Sequence, residues 1–172
     1  RDTSGCLVLG RHRKALRKLG RLFASGRVEK IYWAVTVGRP AADQGRIEKS
    51  LRKKSDNATG WHMEVHPEGA LAVTDYRVLA EKDGLAWLEL RPRTGRTHQV
   101  RVHCAALGCP VLGDPVYGRN AAGAPLHLHA RAVSVPLYAT KPAVAAVAPP
   151  PPHMAAALEK LGWRAEISGA QE

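Results

Sequence analysis

Residues 95–103 bring together side chains that bind anions. They contain two arginines, two histidines, a glutamine and a threonine, and an apolar run follows directly. A glycine and a capping hydroxyl at the start, with Gly108 and Pro110 after the apolar run, predict a short helix over residues 97–107. The first turn of a helix presents free backbone N–H groups, and here two guanidinium groups lie beside them. The pattern therefore predicts a site for an anion such as a phosphate or a carboxylate.

The other histidines and cysteines do not form a metal-binding pattern. The sequence has no CxxC pair, and His98 and His103 are five residues apart, off the spacing that aligns two ligands on a helix. The HxE triplet that begins at His62 lacks the PCxxC motif of zinc deaminases. The sequence contains neither the P-loop motif nor the GxGxxG motif, the two glycine-rich motifs that bind phosphates of nucleotides. It also lacks the GxSxG nucleophile motif. We therefore expect no metal and no cofactor, with His127 and His129 close to a polar site on one strand.

Positive charge is concentrated in the first third of the sequence. The net charge is +11, and residues 1–60 contain fifteen Lys and Arg against five Asp and Glu, a balance of +10. Such asymmetry favours a polyanionic partner, although a solvated basic surface gives the same composition. A membrane-surface helix is disfavoured because residues 11–24 lack a broad, Trp-rich apolar face.

Other features of the sequence bear on the cellular compartment of the protein and on whether the sequence is a fragment. There is no apolar run of about 18 residues and no signal-peptide pattern. Three cysteines, an odd number, favour a reducing compartment with free thiols. We therefore expect a cytoplasmic protein that does not contact a membrane and is a monomer. The abrupt, polar start at Arg1 is consistent with a fragment.

The elements that must position these residues are strands and helices in irregular alternation. Residues 38–69 read as a long, mobile connection with a hairpin near residues 61–65. Strands and helices without a regular βαβ repeat predict an α+β fold with a mixed, mainly antiparallel sheet and flanking helices. The expected strands are residues 5–9, 28–37, 71–79, 85–91 and 126–136, and the expected helices are residues 11–24, 97–107 and 153–162.

The strand over residues 28–37 separates two sets of side chains. Ile31, Trp33 and Val35 alternate with Lys30 and Tyr32, so the two sets lie on opposite faces of the sheet. If the first set packs in the core, Tyr32 points to the other, functional face. Taken alone, Tyr32 is more typical of a half-buried tyrosine that donates one hydrogen bond than of a functional residue. Together with the basic first third and the arginine-rich helix start, it suits stacking on a base of a nucleic acid.

Five segments, in order along the chain, resemble motifs of the RluA-type pseudouridine synthases. Residues 1–5 are similar to the end of the family's HRLDxxTSG motif, and residues 29–32 to its KxY segment. Residues 72–76 match a strand typical of the family, and residues 126–130 match its LHLHA strand. The most specific block begins at residue 95 and continues through residues 108–118. The resemblance covers residues 1–163, the catalytic domain without its N-terminal part, and leaves residues 164–172 as a C-terminal tail.

The resemblance implies conversion of uridine to pseudouridine in ribosomal or transfer RNA, without metal or cofactor. The family's nucleophilic aspartate would lie immediately before Arg1, so the fragment alone is expected to be inactive; Asp2 occupies the next, variable position. Tyr32 is expected to stack on the target base, and its phenol to take part in proton transfer. Arg101 aligns with the arginine that pairs with the aspartate. A buried Arg101 without that partner predicts strain or solvent at that end of the cleft.

Contacts with RNA are expected around this pair. Four consecutive residues, from Arg96 to Gln99, are expected at the cleft mouth near backbone phosphates, and Leu128 is expected as an apolar wall against the base. Two alternatives remain open from the sequence, a catalytically inactive RNA-binding module and a basic component of a ribonucleoprotein particle. The full set of expected RNA-binding residues is Arg1, Asp2, Thr3, Lys30, Arg96, Thr97, His98, Gln99 and Leu128.

Overall fold

A computed structural model describes residues 2–56, 60–118 and 123–165 of the chain. Arg1 and most of the expected C-terminal tail lie outside the described residues. The described part contains an eight-stranded sheet in the order β1-β7-β2-β6-β5-β3-β4, with β8 also paired to β7. The strands are β1 Ser4–Gly5, β2 Glu29–Val37, β3 Gln44–Asp56, β4 Gly60–Val65, β5 Ala70–Lys82, β6 Leu85–Pro92, β7 Leu128–Val135 and β8 Val144–Val147.

Three helices pack on or beside this sheet: α1 Arg13–Ala24, α2 Gln99–Ala106 and α3 Pro152–Lys160. Every strand pair is antiparallel except β1 with β7, which is parallel. The expected α+β class with a mainly antiparallel sheet is therefore confirmed. No helix in the described ranges is long and apolar enough to cross a bilayer.

Helices α2 and α3 lie on opposite faces of the sheet, and the alternation of β2 explains this. Trp33 and Val35 pack against α3 through Met154 and Leu158. The intervening Ala34 belongs to the cluster that includes α2. Because successive side chains of a strand alternate between faces, Tyr32 shares the α2 face, as the sequence predicts.

The prediction of a long, mobile connection over residues 38–69 is wrong, but the hairpin predicted near residues 61–65 is confirmed by the antiparallel pairing of β3 with β4. Residues 44–56 and 60–65 form β3 and β4, and β3 pairs with both β4 and β5. Ile47, Leu51 and Met63 are buried while most of their neighbours are exposed or half-buried. An antiparallel strand with one solvent-exposed face needs few apolar residues. The polar composition of this segment therefore did not indicate strands.

The first expected strand, residues 5–9, is also wrong. Only Ser4–Gly5 pairs with β7, and the apolar residues that follow stay at the surface, with Leu7 79% and Leu9 75% exposed. The short apolar run predicted burial, but it lies beyond the point at which pairing ends. A further strand, β8, lies in an alanine- and valine-rich segment for which the sequence analysis predicted no element.

Candidate functional site

A cavity of about 340 Å³ opens on the α2 face of the sheet. The N-terminal segment, β2, the loop before α2, α2 itself and the start of β7 all contribute to its wall. Nine of the expected site residues line it: Asp2, Thr3, Lys30, Tyr32, Arg96, His98, Gln99, Arg101 and Leu128.

Of the other expected residues, Thr97 is exposed and does not line the cavity. Arg1 lies outside the described residues. The wall also includes Phe23, Thr94 and Leu126, for which the sequence analysis predicted no role.

A larger groove of about 650 Å³ lies between α1, β8 and the segment that follows β1. Its lining is mostly aliphatic, with Leu7, Val133 and Val144 among the contributors. Charged and polar groups converge on the smaller cavity instead, and a binding site needs such groups to orient a polar ligand. The smaller cavity is therefore the candidate site, and we call it the cleft.

Arg101 forms a two-bond ion pair with Asp114 at the edge of the cleft. Its Nε and Nη2 atoms donate to the two carboxylate oxygens of Asp114 at 2.8 and 2.6 Å. Asp114 is fully buried, and its Oδ1 also accepts the backbone N–H groups of Val116 and Tyr117 at 2.9 and 3.0 Å. Arg101 is therefore not unpaired. The prediction of strain or solvent beside it is wrong, because the Asp114 carboxylate, from a loop later in the chain, compensates its charge.

The pKa of Asp114 reflects two opposing effects. Burial raises the pKa, while the hydrogen bonds from Arg101 and from two backbone N–H groups lower it, and the net pKa lies below the ordinary value. Asp114 therefore stays ionised at neutral pH, as a charge-assisted pair requires.

Gln99 ties the start of α2 to β5. Its Oε1 accepts from the Arg96 backbone N–H at 2.9 Å and from the Thr94 hydroxyl at 2.7 Å. Its Nε2 donates to the Val73 carbonyl and to the Thr74 hydroxyl, both at 2.9 Å. Gln99 is only 3% exposed, so its amide is committed to protein contacts. The residue holds the arginine-bearing loop in place instead of presenting its amide to a ligand.

His98 is the N-cap residue directly before α2, and its backbone is left-handed, with φ 53°. The helix therefore starts two residues later than expected, and no side chain caps it. Burial, followed by the charge of Arg101, lowers the pKa of His98. The imidazole is thus neutral at neutral pH and lies in the wall of the cleft.

A chain of contacts joins His98 to the β3–β4 hairpin. The Tyr117 hydroxyl accepts the Met63 backbone N–H at 2.9 Å and lies 3.0 Å from His98 Nδ1, which leaves the phenol proton for that nitrogen. The Trp61 ring stacks on the His98 ring with centroids 5.3 Å apart, and Lys53 Nζ lies 4.9 Å from the Trp61 centroid. The sequence analysis assigned no role to these partners, since contacts between distant strands and loops leave no local pattern.

Tyr32 and Lys30 extend from β2 into the cleft. Burial, and to a smaller extent the charge of Cys6, raises the pKa of Tyr32, so the phenol keeps its proton at neutral pH. Lys30 Nζ lies 3.4 Å from the Thr94 carbonyl, and burial lowers its pKa. Leu128 lines the cleft and is buried in the apolar cluster against which Tyr32 packs.

The two-residue strand β1 holds Asp2 and Thr3 at the cleft. Ser4 Oγ lies 2.8 Å from His129 Nδ1, and the Cys6 N–H donates to the Ala130 carbonyl at 2.9 Å. Gly5 has φ 104°, and a Cβ added there would lie 2.2 Å from the Ala130 carbonyl oxygen. Only glycine therefore fits this crossing.

Across the described residues, no group of three or more His, Cys, Asp or Glu is arranged to hold a metal ion. His127 and His129 make separate contacts, with the Pro125 and Ala148 carbonyls respectively. Three cysteines are free thiols.

Comparisons with known proteins identify the family that the chain resembles. A family profile described as RNA pseudouridylate synthase matches residues 1–106. An uncharacterised RNA pseudouridine synthase of Zymomonas mobilis is 45% identical over 103 residues, covering 60% of this chain and 47% of that protein. Ribosomal large subunit pseudouridine synthase D of Yersinia pestis is 36% identical over 103 residues, covering 60% and 31%. The chain thus spans less than half the length of these curated relatives.

Solved structures extend the match along the chain. Human RNA pseudouridylate synthase domain containing 4 superposes with a TM-score of 0.71 at 27% identity, covering 88% of this chain and 69% of that one. A second human protein, RNA pseudouridylate synthase domain containing 1, gives 0.65 at 30% identity, covering 81% and 61%. The resemblance to RluA-type enzymes seen in the sequence is confirmed, and the chain belongs to the RNA pseudouridylate synthase family.

Proposed function

We propose that the protein to which this chain belongs isomerises uridine to pseudouridine in ribosomal or transfer RNA, with the cleft as its active site. The observation that carries the proposal is the meeting of Tyr32, Arg101 and Leu128 beside Asp2 and Thr3 in one cavity. An aromatic ring, an apolar wall and a fixed guanidinium suit a base that has been flipped out of its stack.

The bonds that break and form in this reaction determine which chemical groups the cleft must supply. The bond between N1 of the base and C1′ of the ribose breaks, the base turns, and C5 bonds to C1′. The proton lost from C5 is balanced by one gained at N1, so no oxidant or reductant is needed. A carboxylate can attack covalently or stabilise the charge that develops. On the basis of the family resemblance, we propose that this carboxylate belongs to the residue before Arg1.

The position of the N-terminal segment supports this assignment. Asp2 lines the same cavity as Arg101. Burial lowers the pKa of Arg101, but the hydrogen bond and charge of Asp114, with a smaller contribution from the charge of Asp2, raise it above its ordinary value. Each residue advances the chain by at most about 3.8 Å, so a residue before Arg1 lies within two steps of Asp2. We therefore propose that a carboxylate at that position reaches the cleft and meets Arg101 there.

The direct test is release of tritium from RNA labelled at uridine C5, with the full-length protein and total cellular RNA. Tritium release that depends on the protein would support the proposal. Absence of tritium release from every RNA in the mixture would contradict it. RNA binding without release would instead support an inactive RNA-binding module.

Tyr32 is predicted to contribute both stacking and a proton. Tyr32→Phe keeps the ring but loses the phenol, so we expect kcat to fall by about 100-fold with RNA affinity nearly unchanged. Tyr32→Ala also loses the stacking surface, worth about 1–3 kcal/mol, and should weaken RNA binding as well. Single-turnover tritium release and filter binding separate the two effects.

Tyr138→Phe is the matched control, because Tyr138 is 54% exposed and lies outside the cleft. It should retain wild-type kcat. Equal rates for Tyr32→Phe and wild type would remove the proton-transfer role, while equal rates for Tyr32→Ala would remove Tyr32 from the site altogether.

We propose that RNA approaches along α1. The helix ends beside Phe23, which lines the cleft. Its polar face carries five exposed basic side chains and has no acidic residue in the first turn. Those side chains are Arg13, Lys14, Arg17, Lys18 and Arg21.

Removing one of these charges should change the salt dependence of binding. For Arg21→Gln we expect the slope of log K against log salt to become shallower by about 0.7, the value for one phosphate on a single strand. Lys82→Gln is the control, since it removes the same charge at the β5–β6 turn, at the opposite end of the strands from Tyr32. Equal slopes for the two variants would contradict the proposed path.

The compartment and the oligomeric state remain proposals. Free thiols at Cys6, Cys104 and Cys109 fit a reducing compartment, which supports a cytoplasmic location. Relatives in rice and Arabidopsis carry names that place those proteins in mitochondria. We propose a monomer, to be tested by light scattering of the full-length protein.

A further inference from the structure

Hydrogen bonds hold both the backbone and the side chain of Asp114 in its loop. It follows Gly113, whose φ is 74° and where a Cβ would lie 2.0 Å from the Pro125 carbonyl oxygen. The Asp114 N–H donates to the Val111 carbonyl, and the Asp114 carbonyl accepts the Gly118 N–H at 3.0 Å. Backbone and side chain are therefore both fixed before any ligand arrives.

The Asp114 carboxylate fixes one edge of the Arg101 guanidinium. It receives the Nε and Nη2 donors, so the third nitrogen, Nη1, points away from Asp114. Arg101 lines the cleft whereas Asp114 does not, so the occupied edge faces away from the cavity. The Tyr117 ring lies over the guanidinium with its centroid 5.1 Å from Cζ. Asp114 and Tyr117 thus hold one edge and one planar face of the fork, and we infer that the third nitrogen serves an acceptor in the cleft.

We propose that Asp114 is a positioning residue, which aims the Arg101 guanidinium at an acidic group in the cleft; this rests on the function proposed above. A guanidinium presents planar, directional donors, so its orientation decides how it meets a carboxylate. Asp114 also lets the chain bury Arg101 as a neutral pair, so the cleft is formed before the acidic group is in place. Asp114 acts only through Arg101 and does not touch the substrate.

A double-mutant cycle in the full-length protein tests the proposal. Asp114→Asn keeps the shape but loses the charge and one acceptor, and we expect kcat to fall by about 100-fold with KM for RNA nearly unchanged. Arg101→Gln should lower kcat at least as far. Because Asp114 acts through Arg101, the double variant should be no slower than Arg101→Gln alone.

Asp75→Asn provides the matched control. Asp75 also pairs with two arginines, Arg46 and Arg93, but its neighbour Thr74 faces α2, so Asp75 lies on the opposite face of the sheet. Its kcat should equal that of the wild type. Two results would overturn the proposal: unchanged kcat in Asp114→Asn, or losses that multiply in the double variant. An inactive wild type would instead count against the proposed function.

A second comparison covers the case in which Asp114→Asn does not fold. Arg101→Lys keeps the positive charge but cannot form the two-bond contact with Asp114. If orientation matters, Arg101→Lys should be as slow as Arg101→Gln. Recovery of kcat to within about threefold of wild type by Arg101→Lys would show that charge alone suffices, which contradicts a positioning role.

Discussion

In the full-length protein, replacing Gly5 with alanine is expected to abolish most of the proposed uridine isomerisation while leaving most of the sheet folded. The new Cβ would lie 2.2 Å from the Ala130 carbonyl oxygen, and φ at this position is 104°. The segment cannot relieve the clash without losing the Cys6 N–H bond to that same oxygen. β1 should therefore leave β7, and Asp2 and Thr3 should leave the cleft with it.

The expected loss in kcat is at least about 100-fold, because displacement of a reacting group by about 1 Å already costs that much. Circular dichroism and denaturant unfolding should show that β2 to β7 remain assembled, since β1 contributes only two residues to the sheet.

Gly38→Ala separates the clash from backbone strain. Gly38 also has a positive φ, 77°, but no atom lies within 4 Å of the position that a Cβ would take. Its left-handed backbone should cost about 1–2 kcal/mol of stability and leave kcat unchanged. Activity of Gly5→Ala within about threefold of wild type would show that the N-terminal segment does not position the reacting groups.

Acid is expected to destabilise the fold through His103. The side chain is fully buried on α2, and its Nδ1 lies 2.9 Å from the Thr74 hydroxyl. Gln99 donates to the same hydroxyl, which leaves the hydroxyl proton for His103. Its Nε2 has no hydrogen-bond partner among the described residues. Burial lowers the pKa of His103 to about 4, and an opposing backbone contact with Lys49 only partly offsets it.

The sign of the effect follows from the two states. The unfolded chain binds a proton on this imidazole as the pH falls below about 6.5, whereas the folded chain does not until about pH 4. The contribution of neutral His103 to the free energy of unfolding is therefore fully present above pH 6.5, and it is lost progressively as the pH falls from 6.5 to 4. The shift corresponds to about 3 kcal/mol, at about 1.4 kcal/mol per pKa unit.

The measurement is the free energy of unfolding in urea at pH 7 and at pH 4.5, for wild type and His103→Gln. The glutamine cannot be protonated, so the variant should lose less stability between the two pH values, even if it is less stable at pH 7. An identical loss in both proteins would show that other groups cause the acid sensitivity.

The sequence predicted the parts of the site that depend on local pattern. The alternation of residues 28–37 placed Tyr32 on the α2 face, because side chains of a strand alternate regardless of what the strand packs against. The histidine- and arginine-rich stretch predicted the short helix α2. Its left-handed start at His98 was missed, since non-glycine residues seldom adopt a positive φ.

What the sequence could not predict depends on contacts between distant elements. Asp114 meets Arg101 from a loop beyond α2, and no periodicity links the two residues. Gln99 belongs to a stretch that suggested ligand contact, yet its amide is used by Thr94, Arg96 and β5. Strand β3 was missed because its inward residues are few and its outward residues are charged.

The parallel pairing of β1 with β7 has a consequence for how the molecule assembles. The contact between Ser4 and His129 joins residues 125 positions apart, whereas the β5–β6 pair is closed by a tight turn. Closing so long a loop costs more chain entropy than closing a tight turn, and the strand pairing that offsets this cost involves only two residues of β1. We therefore expect local hairpins to form early and the wall that carries Asp2 and Thr3 to dock last. The cleft is then expected to be the final part of the fold to be completed and the first to open.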